Sequence, residues 1–138
     1  AVPTPEVQQR LLAVLQDKGR TKTLQHLPYS MVSYAWGRKY QQSNQWAIET
    51  LAATEPGVTT REKAQAWLQF KGYQPTALKL GPLTRLGGRA TAANVAFDDH
   101  PTEKRFSSRI ETVTVDSVFD RLQRARMTDG TPVTVVKP

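Results

Sequence analysis

Ser43 opens the stretch of this chain with the most chemical content. It heads Ser43-Asn44-Gln45-Trp46-Ala47-Ile48-Glu49-Thr50-Leu51, where a hydroxyl precedes two amides and an aromatic ring at an expected helix start. A hydroxyl so placed could attack a carbonyl in amide or ester hydrolysis. A thiol, with a pKa of about 8.5, is activated by a helix N-terminus and a neighbouring cation. A serine hydroxyl lies several units higher, whereas the helix dipole contributes only about 0.3–1 kcal/mol, less than one pKa unit. Ser43 therefore needs a positioned base. The histidines of the chain are His26 and His100. His100 follows an expected strand with Asp99 beside it as an orienting carboxylate, and His26 lies in an irregular stretch near Pro28. The simpler role for Ser43 is to cap the helix, with Asn44 and Gln45 satisfying nearby backbone groups. N-capping serines greatly outnumber nucleophilic ones, which favours the cap.

The second group of interest is Asp98-Asp99-His100, with Glu103 nearby. Carboxylates and an imidazole could bind a cation, or supply a base and its orienter. Adjacent residues rarely all face one ion, however, and Asp-Asp-x-Pro is good turn chemistry. No second cluster completes a shell, so no metal site and no cofactor are expected. Trp36, Tyr40 and Trp46, with Asn44 and Gln45, are the candidate binding residues for a sugar or peptide groove. Trp46 and Trp67 lie on helix faces that read as core-directed, which is the default place for tryptophan.

Composition narrows the chemistry further. The chain has 138 residues and no cysteine, which removes disulfides, thiolate nucleophiles and zinc-thiolate sites together. With 38 % hydrophobic residues it is a folding sequence. No apolar run approaches the roughly 18 residues of a membrane helix. The net charge of +7 raises the question of nucleic acid, but the basic residues are scattered, the densest being Lys18, Arg20 and Lys22, then Arg38 and Lys39. A helix-turn-helix over residues 59–86 fails because Gly72-Tyr73-Gln74-Pro75 leads into a strand-like segment. Solubility accounts for the charge.

The elements that must position these groups follow from local signals. Thr4 and Pro5 start a helix with Val7, Leu11, Leu12 and Leu15 on one face, and Gly19 ends it. Pro28 keeps residues 20–40 irregular. A helix from about Gln42 carries Trp46, Ala47, Thr50, Leu51 and Thr54 and ends at Glu55-Pro56-Gly57. Thr59-Thr60-Arg61-Glu62 reads as a capping box for a helix ending at Gly72. Strands are expected at 76–80, 93–97 and around Ile110–Val115, a helix from Asp116 to about Met127, and an edge strand at 132–136. The whole reads as α+β, with helices packed on a small antiparallel sheet that is incomplete within this chain.

Residues Ser43–Leu51 resemble the nucleophile helix of papain-like, NlpC-type cell-wall peptidases and their circularly permuted relatives. There a cysteine opens the helix; Ser43 takes its place here, Gln45 the polar position and Trp46 the aromatic one. A broader resemblance rests on Ala1–Val7, Tyr40–Trp46, Asn94–Pro101 and Arg109–Phe119, which are similar to an uncharacterised bacterial family, domain of unknown function 2145. It implies that residues 1–138 are one domain, the C-terminal part of a longer exported, periplasmic protein. The absent half is where a permuted relative carries its catalytic histidine. The resemblance implies a papain-like fold and a serine-for-cysteine hydrolase or pseudoenzyme, inactive as this chain alone. Ser43 would be its nucleophile, and His100 with Asp99, or a histidine outside the chain, its base. The alternative is a noncatalytic module binding peptidoglycan or an N-terminal segment of the same precursor, and nonspecific nucleic-acid binding ranks third.

Overall fold

The computed structural model describes residues 2–79, 96, 98–102 and 109–128. Within them the chain is α+β. Five helices, α1 (Pro5–Gln16), α2 (Lys18–Leu24), α3 (Ser43–Ala52), α4 (Arg61–Phe70) and α5 (Val115–Arg124), accompany strands β1 (Thr76–Lys79) and β2 (Arg109–Thr112). The strands pair antiparallel, with Thr76 opposite Thr112 and Lys79 opposite Arg109. The expected strands at 93–97 and 132–136, and Glu103, lie outside the described residues, apart from Ala96.

Thr4 caps α1 by accepting from Val7 N at 3.4 Å, with Pro5 at the first helical position. The inward face is Val7, Leu11 and Val14, whereas Leu12 and Leu15 are exposed, a rotation from the expected stripe. Gly19 does not end this helix. The break comes at Asp17, which takes an extended conformation and turns its carboxylate to Arg20 N at 3.1 Å, capping α2 with Gly19 inside it. A capping carboxylate restarts the helix sooner than the glycine can stop it. At α4 the cap is Thr60, accepting from Lys63 N at 3.2 Å, one residue later than the expected box. Gly72, at φ +73°, ends α4 as the sequence predicts.

The core gathers Val14, Leu24, Ile48, Leu68, Val113 and Leu122 from both halves of the chain. α5 faces it with Val118 and Leu122, and its first turn is a capping box in which Thr114 and Ser117 exchange side-chain-to-backbone bonds. The N-terminal segment is tied beside the end of α5 through Thr4 N to Met127 O at 2.8 Å.

Strand β2 positions the irregular segment 28–42 and the start of α3. Ala35 N donates to Glu111 O at 3.1 Å, and Thr112 Oγ1 donates to Ser33 O at 2.8 Å. Gln42 Nε2 donates to both Thr112 Oγ1 at 3.0 Å and Val113 O. A short antiparallel pair therefore fixes where α3 begins.

Candidate functional site

Ser43 stands at the first position of α3, exposed to solvent, one residue inside the cap. The cap is Gln42, whose side-chain oxygen accepts from Asn44 N at 3.3 Å, so Ser43 is not needed to close the helix. Its hydroxyl makes no hydrogen bond among the described residues. It opens into a cleft of about 510 Å³ whose walls include His26, Leu27, Tyr29, Gln42 and Trp46. Leu27 is 85 % exposed and Tyr29 44 %, so the outer rim presents apolar and aromatic surface to solvent.

The helix behind this hydroxyl is buried on its polar side. Gln45 is 0 % exposed. Its oxygen accepts from Ser33 Oγ at 2.7 Å, and its nitrogen reaches Tyr34 O at 3.1 Å, Ala35 O at 3.3 Å and Gly37 O at 3.4 Å. The amide braces the loop 33–37 and supplies the donor for Ala35 O, while Tyr34 O also accepts from Gly37 N and Gly37 O from Gln65 Nε2. Gln41 does the same on the other flank, accepting from His26 N at 2.8 Å and donating to Leu24 O at 2.9 Å and Glu49 Oε2 at 2.7 Å. The periodicity of Trp46, Ala47, Thr50 and Leu51 hid this face. α3 turns Gln45, Ile48 and Glu49 inward and leaves Trp46 half-buried at the cleft.

His26 and Ser43 line the same cleft. His26 Nε2 lies 2.9 Å from Lys39 O. Because a carbonyl only accepts, Nε2 carries the proton, and Nδ1 is the lone-pair nitrogen of the neutral ring. No hydrogen bond joins His26 to Ser43.

His100 and Asp99 stand elsewhere, and neither lines the Ser43 cleft. Both side chains are buried in the turn 98–100, against the segment 30–37. His100 Nε2 donates to Val32 O at 2.7 Å, and Asp99 Oδ2 accepts from Tyr34 N at 2.7 Å. Asp99 Oδ1 is 3.6 Å from His100 Nε2, too far to orient the ring by a hydrogen bond. Ser30 Oγ completes the attachment, donating to Ala96 O at 2.7 Å and accepting from Ala96 N at 3.0 Å. Gly37 passes so close to Asp99 Oδ2 and Tyr34 that a Cβ there would sit 3.3 Å from each, so a side chain would require one of them to shift by a few tenths of an ångström. Burial raises the Asp99 pKa, partly offset by the Tyr34 N–H. Asp98 is lowered by its hydrogen bond to Lys39, and Tyr40, bonded to Asp98, is raised.

Trp36 is half-buried and packs edge-on against Tyr73, with centroids 5.8 Å apart; it too is absent from the cleft wall, as is Tyr40. Of the residues singled out in the sequence, the structure brings Ser43, Trp46 and His26 together. It adds Leu27 and Tyr29, whose signal was a pair of large side chains flanking Pro28 in an irregular stretch. Among the described residues no group of three or more His, Asp or Glu is arranged to hold a metal. No helix among them is long and apolar enough to cross a membrane.

The family model described as "Uncharacterized protein conserved in bacteria (DUF2145)" matches residues 1–122, a span that includes the Ser43 cleft, the 98–100 turn and both strands. Comparison with curated proteins and with solved structures returns no match. The match covers most of the chain, and the protein belongs to this bacterial family, DUF2145.

Proposed function

We propose that this chain is a noncatalytic binding module of the bacterial cell envelope, within an exported protein, and that the cleft at the start of α3 takes cell-wall glycan-peptide. One observation carries the reading: the exposed Ser43 hydroxyl opens onto a cleft walled by Trp46, Tyr29 and Leu27, with no base hydrogen-bonded to it among the described residues. Aromatic rings beside a few polar groups suit a ligand that is apolar on one face and hydroxylated on the other. The test is retention on purified peptidoglycan at low and raised salt. Salt-sensitive retention without turnover supports the module, and no retention at low salt removes it.

The second reading is hydrolysis, with Ser43 as nucleophile and His26 Nδ1 as base after a small closure of the cleft. The placement of both residues in the lining of one cleft favours it. A serine-reactive fluorophosphonate distinguishes the two readings. Labelling that vanishes in Ser43→Ala supports catalysis, and equal labelling of both proteins disposes of it. A papain-like kinship would accompany that outcome.

A further inference from the structure

A separate cleft of about 340 Å³ lies where the C-terminal ends of α4 and α5 meet. Its wall includes Lys71, Arg121 and Arg124, together with Trp67, Glu55 and Met127. Arg121 is held in place from two sides. Its Nη1 donates to Lys71 O at 2.9 Å, and its guanidinium carbon lies 5.4 Å from the Trp67 ring centroid. Its Nε is buried without a hydrogen-bond partner. Among the described residues no carboxylate pairs with Arg121 or Lys71, whereas Arg124 Nε is met by Asp120 at 3.0 Å. Glu55 is the acid in the wall, and Arg10 Nη1 stands 4.0 Å from it. Burial lowers the Arg121 pKa, as expected of a cation removed from water without a counter-ion.

Helix C-termini attract cations, by about 0.3–1 kcal/mol each. That explains a basic residue at the end of each helix. It does not explain why three converge on one cleft, two of them without a carboxylate partner among the described residues and one of these fixed against a tryptophan. A held guanidinium loses little freedom on binding an oxyanion, and with Nε buried and Nη1 on Lys71 O it is Nη2 that is left to meet one.

We propose that this cleft binds a phosphate group, with Arg121 as the fixed anchor and Lys71 and Arg124 as the flanking charges. Phosphate is favoured over carboxylate because its tetrahedrally arranged oxygens can meet more than one cation, and a monoester adds a charge of about −1.5 to −2 where a diester carries one. The group could be carried by a soluble phosphate ester or by an anionic phospholipid headgroup.

The experiment is a titration of the isotope-labelled chain with inorganic phosphate, against chloride at matched ionic strength, following the Arg121 Nε–H and Trp67 indole resonances. The expected result is a saturable shift with phosphate and none with chloride, weakened roughly tenfold or more in Lys71→Gln and in Arg121→Gln. Lys71 is exposed, so its variant keeps the test valid if Arg121→Gln fails to fold. Identical responses to both salts, or unchanged affinity in Lys71→Gln, would overturn the proposal. Vesicles of phosphatidylglycerol and of phosphatidylcholine then separate the sources. Retention on the former that phosphate displaces assigns the headgroup, and saturable phosphate binding without retention assigns a soluble ester.

Discussion

Glu49 and Arg61 face each other between α3 and α4 with both charges buried, their side chains 1 % and 8 % exposed. Arg61 Nε lies 2.8 Å from Glu49 Oε2, and Nη2 3.2 Å from Oε1. Gln41 and Gln65 donate to the same carboxylate at 2.7 and 2.9 Å. The guanidinium reaches the carbonyls of Gly37, Arg38 and Tyr40, each at 3.3 Å. One buried pair thus ties two helices to the loop that precedes Ser43, and the orientation of the cleft depends on it.

Removing one partner of such a pair leaves the other charge buried and uncompensated, at a cost of about 3–5 kcal/mol. Arg61→Leu should lose that much in urea unfolding. The double variant Arg61→Leu/Glu49→Leu should recover part of the loss, because the orphan charge is gone. A single-variant loss below about 1 kcal/mol would show that water reaches the pair.

Gln45→Ala should cost about 2–3 kcal/mol, since the Ser33 hydroxyl loses its acceptor and Ala35 O its donor in the interior, while Tyr34 O keeps Gly37 N and Gly37 O keeps Gln65 Nε2. Amide exchange should rise across residues 33–37 before it rises in α4. Uniform exchange behaviour would mean that β2, Asp99, Arg61 and Gln65 hold the loop without Gln45.

The sequence made α1, α4, α5, β1 and the start of α3 readable because their caps and breakers are local. Thr4-Pro5, Thr60 and Gly72 act within one turn of the chain. The polar face of α3 was not readable. Gln45 and Glu49 sit at positions that pattern reasoning assigns to solvent, and their burial follows from partners on a loop and on another helix. The same limit applies to the site. Ser43 and Trp46 announced themselves by residue type, while His26 reached their cleft through Gln41, which receives its backbone N–H at 2.8 Å. His100 was placed beside a carboxylate by its neighbours in sequence, yet its ring points to Val32 O.

The neighbouring carboxyls Asp98 and Asp99 should respond to pH in opposite senses. Lys39 holds Asp98 below the ordinary range. Its contribution is therefore present above the unfolded value of about 3.9 and lost as pH falls through the folded pKa. Burial raises Asp99, so its contribution is present below the unfolded value and lost as pH rises through the folded pKa. In melting curves from pH 2 to 8, Asp98→Asn should flatten the acid-side loss. Asp99→Asn, which keeps an acceptor for Tyr34 N, should remove a decline on the way to neutrality. A change of the same sign in both variants would refute the assignment.

Tyr73 should titrate late. Burial pushes its phenol up to about 12, against a hydrogen bond with Ser117 that lowers it, the two oxygens lying 2.9 Å apart. A raised acid contributes stability that is complete below about pH 10 and lost as pH rises through about 12, roughly 2–3 kcal/mol in all. Phenolate absorbance should show a component near pH 12 that disappears in Tyr73→Phe, while the raised titration of Tyr40 remains. Early titration of every tyrosine would contradict the burial.

The role of the α3 cleft is tested most directly by titrating solubilised peptidoglycan fragments while following the Trp46 indole resonance, in the wild type, Ser43→Ala and Trp46→Ala. The account predicts a saturable shift of equal affinity in the wild type and Ser43→Ala, intact fragments throughout, and binding weakened about tenfold in Trp46→Ala as read from the fragment signals. An unmoved indole, or fragment cleavage that Ser43→Ala abolishes, would contradict it.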